Sequence, residues 1–120
     1  MINPAVVEGQ VRGGVAQGVG EVLFEWSAYD DEANYMAGTF MDYLVPTAME
    51  TPAWEVAKTV TPSPHHPIGA KGVGESATVG APPAIANAVV DALWHLGVRN
   101  IDIPITPPKV WQILHDKGIS

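Results

Sequence analysis

Cysteine is missing from this chain of 120 residues. That excludes disulfides and any iron–sulfur ligation by the chain itself. Charge is also scarce, at 16% of residues, against about a quarter in ordinary domains. Only 6 residues are Lys or Arg, and the formal net charge is -7. So few cations leave a phosphate backbone with few neutralising partners, which argues against nucleic acid as a ligand. No apolar run reaches the roughly 20 residues of a membrane span. The basic and apolar regions of a secretory signal are lacking too, so the expected compartment is cytoplasmic.

The common motifs of catalysis are also missing. There is no G-x-x-x-x-G-K-[ST] phosphate loop, since Lys71 precedes Gly72. Neither G-x-G-x-x-G nor a G-x-S-x-G elbow occurs, and Ser76 has no evident base partner. His65 and His66 are adjacent, so in an extended chain they point to opposite sides, and no acid or Cys stands at a zinc-like spacing. No metal ligand is assigned.

What is present is His65-His66-Pro67-Ile68-Gly69-Ala70-Lys71-Gly72-Val73-Gly74-Glu75-Ser76. Its three glycines allow close backbone approach or positive φ, and Glu75 follows them directly. A glycine-rich loop ending in one acid near a helix start can present a single base, or can be a turn with a solvated Glu. With no nucleophile or metal ligand beside it, Glu75 as a base implies that a cofactor supplies the reactive chemistry.

Along the chain, residues 1–7 read as an extended lead-in and Glu8 to Phe24 as a helix. Val11, Val15, Val19 and Val22 form its apolar stripe. Gln10, Gly14, Gln17 and Gly18 share a second face, suited to a close helix–helix contact or to a cofactor held by Gln10. Residues 22–29 and 35–45 are expected to pair antiparallel across a polar turn, and Trp54 to Thr61 alternates like a further strand. A helix is expected from Pro82 or Pro83 to Gly97, then a short strand from Ile101 to Ile105. A last helix follows, with Thr106 at its cap and Pro107 in first position. Four tryptophans in so weakly charged a chain suggest apolar surface buried against something outside it. No interior boundary is evident, so residues 1–120 are expected to act as one domain-sized piece.

Ile68 to Ser76 resembles the catalytic-glutamate loop of the molybdenum hydroxylases, the xanthine dehydrogenase and aldehyde oxidoreductase family. Glu8 to Gly20 is similar to that family's glycine-rich, cofactor-facing helix. Phe40 to Ala48 and Val60 to Pro67 resemble large subunits of the aerobic carbon monoxide dehydrogenase type more than the xanthine dehydrogenase branch. The blocks agree in order and interval over essentially the whole chain.

The resemblance implies an α+β fold, with about three helices packed on a small, mostly antiparallel sheet. It also implies part of a molybdenum-cofactor-binding domain. The cofactor would be molybdopterin cytosine dinucleotide carrying molybdenum. Glu75 would be the base for Mo-hydroxo attack on a substrate carbon, and Gln10 would hydrogen-bond the cofactor. Gly72, Val73 and Gly74 would approach it through their backbone, with Lys71 and Ser76 also at the site. Family large subunits are several times longer, and this chain corresponds to their C-terminal end. The implied partners are the remainder of the molybdenum subunit, an iron–sulfur subunit and an FAD subunit. The alternatives are an inert remnant that self-associates as a homo-oligomer, and a small-ligand binding module.

Overall fold

A computed structural model describes residues 1–119. The first helix, α1 (Pro4–Leu23), begins earlier than its apolar stripe suggested. The Asn3 side chain accepts a hydrogen bond from the Val6 amide at 3.2 Å. Pro4 follows where its missing N–H would have no helical partner anyway. This cap makes residues 4–7 helical, and the extended lead-in shrinks accordingly.

The second helix, α2 (Ser76–Ala92), also starts early and carries Pro82 and Pro83 in its interior. Prolines inside a helix each cost about 3 kcal/mol of local preference. Packing on α1 holds the turn before them: Ala77 and Thr78 lie against Gly14, and Ala81 and Pro82 against Gly18. Contact positions rise together along the two helices, so α1 and α2 run parallel.

A 3₁₀ turn (Trp94–Leu96) extends α2 and ends on Gly97 at φ 81°, the left-handed terminator expected there. The third helix, α3 (Pro107–Asp116), follows Thr106, which holds the cap position without a side-chain hydrogen bond. The core lies where the C-terminal ends of α1 and α2 meet α3. Val22, Leu93, Val98, Ile101 and Ile105 are buried there, with Ile85, Val89, Val110, Ile113 and Leu114 packed around them.

The expected sheet does not form. The described residues contain three α-helices and no strand, so the fold is not α+β. Where 22–29 and 35–45 were expected to pair, a single antiparallel bridge joins Tyr29 to Tyr35. Asp30 closes the turn between them by accepting from the amides of Glu32 and Asn34. Past Met36 the backbone folds onto itself, with the Asp42 and Tyr43 amides both donating to the Thr39 carbonyl. The segment from Ile101 to Ile105 is irregular, and the Ile105 amide donates to the Val22 carbonyl at the end of α1 instead of to a strand. Alternation prepares a strand but does not supply its neighbour. Trp54 to Thr61 has no ladder partner among the described residues.

The resulting shape is open. The radius of gyration is 18.1 Å, where a compact chain of this length would have about 14 Å. The accessible surface is 8826 Å², against about 6,200 Å² for a folded monomer of this mass. Phe40, Met41 and Met49 are 84%, 87% and 90% exposed. No described helix is long and apolar enough to cross a membrane.

Candidate functional site

The α2-facing side of α1 explains its glycines at two positions. Gly14 and Gly18 are buried because α2 lies directly on their bare backbone. Of the two uses open to that face, the structure shows the helix–helix contact. One turn earlier on the same face, Gln10 lies beyond the contact and stays exposed. The parallel register carries the contact line from Gly18 and Ala81, through Gly14 and Ala77, to Gln10 and Gly74. A methyl group on Gly74 would stand 3.8 Å from Gln10 Oε1.

The loop before α2 is shaped by its own hydrogen bonds. Ser76 donates to the Val73 carbonyl twice, from Oγ at 2.9 Å and from its amide at 3.3 Å. Glu75 occupies the N-cap position of α2, but its carboxylate caps no amide. It is exposed at the rim of a groove of about 440 Å³ lined by Gly72, Val73, Gly74, Glu75, Ser76 and Val79.

The three glycines of the stretch do different work. Gly69, at φ 66°, needs the left-handed conformation, and a methyl there would also meet Pro62 Cβ at 2.8 Å. A methyl on Gly72 would meet nothing within 4 Å. Gly72 therefore leaves open space, whereas a methyl on Gly74 would come into ordinary contact with Gln10.

Gln10 and Gly74, in separate sequence blocks, come together here, and Gly72, Val73, Glu75 and Ser76 line the adjacent groove. Lys71 precedes the groove and is exposed without lining it. The histidines are used locally: the His65 amide donates to Ser63 Oγ, and His66 Nδ1 accepts from the Ile68 amide at 3.4 Å. Among the described residues no cluster of three or more His, Cys, Asp or Glu could hold a metal. Val79 was not singled out by sequence. It follows Glu75 at i+4, a spacing that carries meaning only once α2 is known to begin at Ser76.

Bare backbone at Gly72 and Gly74, an amide able to donate and accept at Gln10, and an uncapped carboxylate suit one side of a large, polar cofactor. The groove is open, so these residues contact only part of such a group.

Residues 1–52 match the family model of the molybdopterin cofactor-binding domain. The chain corresponds to a segment of the large subunits of the molybdenum hydroxylases. It is 48% identical to the carbon monoxide dehydrogenase large chain of Hydrogenophaga pseudoflava over 119 residues, which is 99% of this chain and 15% of that one. It is 47% identical to the nicotine 6-hydroxylase large subunit of Paenarthrobacter nicotinovorans, over 99% of this chain and 14% of the relative. The solved structure of Cu,Mo-CO dehydrogenase in its carbon monoxide reduced state matches with a TM-score of 0.95 at 45% identity, covering 99% of this chain and 15% of that one. The chain thus spans a small fraction of the length of these relatives.

Proposed function

We propose that this chain supplies the catalytic-glutamate segment of a molybdenum hydroxylase large subunit, with Glu75 as the base. The observation that carries this reading is the meeting of Gln10 with the Gly72–Glu75 loop at one open end of the α1–α2 pair. When bound, a molybdenum cofactor, here molybdopterin cytosine dinucleotide, supplies the two-electron redox chemistry of hydroxylation. The chain's own residues supply one side of the site. Gln10 offers its amide to the cofactor. Gly72, Val73 and Gly74 let the backbone come close to it. Glu75, with no amide of α2 on its carboxylate, accepts a proton at a carboxylate oxygen. Ser76 holds the turn that aims Glu75, through its two bonds to Val73. Lys71 contributes charge nearby.

The exposed loop implies assembly. Glu75 is open to solvent, and a base works best where water is excluded. The accessible surface of 8826 Å² exceeds that of a compact monomer by about 2,600 Å², enough for a large interface. A TM-score of 0.95 to part of a much larger protein supports the remainder of the molybdenum subunit as what covers it. Iron–sulfur and FAD subunits then carry electrons away. Carbon monoxide dehydrogenase and nicotine 6-hydroxylase chains are almost equally similar, at 48% and 47% identity. The substrate is therefore selected outside this segment.

Glu75→Gln tests the assignment. In the assembled enzyme, turnover should fall by at least about 10²-fold with molybdenum content unchanged. Equal loss of molybdenum and activity would reassign Glu75 to cofactor retention. The second reading, a self-associating remnant, draws on the same exposed apolar surface. It requires oligomers of this chain alone, without bound pterin.

A further inference from the structure

Gly14 and Gly18 lie closer to α2 than any side chain would allow. A methyl on Gly14 would stand 2.8 Å from Ala77 Cβ and 3.1 Å from the Thr78 amide nitrogen. On Gly18 it would stand 2.5 Å from Ala81 Cβ and 3.1 Å from Pro82 Cδ. Gly13 on α1 and Gly80 on α2 would meet nothing within 4 Å. Between the two helices the need for glycine thus falls on the line of contact, while Gly20 is held bare by Glu25 and Pro46; the line of contact ends at Gln10 and Gly74.

We infer that the Gly14–Ala77 and Gly18–Ala81 contacts form a spacer that sets how closely Gln10 approaches the Gly72–Glu75 loop. These four small residues are then positioning residues for the site. The role of the site rests on the function proposed above; the spacer geometry stands on the chain itself.

Glu75 is the residue immediately before α2, and Ser76 bonds the loop back on Val73. Loop and helix therefore move together. Ordinary carbon–carbon contact falls at about 3.5–4.0 Å. A methyl at Gly18, 2.5 Å from Ala81 Cβ, would push α2 away by about 1 Å. Pro82 stiffens α2 at that point and leaves little room for a local detour. A displacement of that size at a reacting group costs on the order of 10²-fold in rate.

The chain has no cysteine, so two introduced thiols report the approach without interference. In the full chain carrying Gln10→Cys and Gly74→Cys, bridging by dibromobimane, which fluoresces after joining two thiols, reads the separation. Adding Gly18→Ala should slow bridging on the order of tenfold. Adding Ala81→Gly to that variant moves the methyl from one helix to the other and should restore the rate. Gly80→Ala, on the open side of α2, should leave it unchanged. Bridging unaltered by Gly18→Ala, or not restored by the swap at normal helix content, would overturn the spacer. If Gly18→Ala does not fold, Ala81→Ser adds a single atom at the same contact and should slow bridging by a smaller factor; an unchanged rate there overturns it equally. None of these readings needs the cofactor. A confirmed spacer with full activity in Glu75→Gln would sink the functional reading alone.

Discussion

Gly74 and Gln10 are neighbours: a methyl on Gly74 would stand at ordinary contact distance, 3.8 Å, from Gln10 Oε1. The two residues belong to separate glycine-rich blocks of the sequence. They meet because two parallel helices pack through Gly14 and Gly18 on one side and Ala77 and Ala81 on the other. Small residues at helical spacing here bring backbone to backbone, and the site stands at the end of the line they form.

The glycines of α1 should divide into two groups by stability. Gly9 and Gly13 face open space, so Gly13→Ala should stabilise the chain by about 0.5–1 kcal/mol through helix propensity. Gly14→Ala gains the same propensity but meets Ala77 at 2.8 Å, and should destabilise by about 1–3 kcal/mol. Paired urea melts of the two variants would check this. A gain in both would mean that α2 shifts freely.

Asn3→Ala removes the side-chain acceptor for the Val6 amide and should cost about 0.5–2 kcal/mol. Amide exchange should speed up in the first turns of α1, near Gln10, and hardly change around Val22. Uniform acceleration along α1 would place the effect elsewhere.

Ile105 is 1% exposed and packs with Val22, which is fully buried. Ile105→Ala should cost about 2–5 kcal/mol, while Ile103→Ala, at a site 51% exposed, should change little. Thermal melts of the two variants would measure the contrast, and similar losses would argue that the core is not where it is drawn.

Tyr43 donates to Glu25 Oε2 at 2.7 Å. That hydrogen bond to a carboxylate is the main cause raising the phenol above its ordinary value, with burial and the Glu25 charge adding to it. The folded state therefore favours the neutral phenol. Its stabilising contribution is complete below the unfolded phenol value and is lost as pH rises through the raised one. Ultraviolet titration of tyrosinate should show one tyrosine titrating late, and Glu25→Gln should bring it earlier. No change in that variant would mean the bond is not formed in solution.

The helices were readable from sequence because their signals are local. Val22, Ile85, Val89, Ile113 and Leu114 stand on the predicted apolar faces and pack in or around the core, and Gly97 terminates where a left-handed residue was expected. Boundaries failed where packing outweighed local preference: Pro82 marked a start that Ala77 and Ala81 extend back to Ser76. The sheet failed for a different reason. Trp54 to Thr61 has the alternation of a strand, but pairing depends on a neighbour, and the described residues offer none. The site was legible as two motifs, Gln10 in one and Glu75 in the other. Their meeting was not, because it depends on the parallel register of α1 and α2.

The most direct test of the central claim is mild affinity purification of the tagged chain from its own host, with molybdenum and co-eluting masses determined on the same fraction. The account predicts near-stoichiometric molybdenum in a complex containing the remainder of the molybdenum subunit. Molybdenum-free assemblies of this chain alone would contradict it.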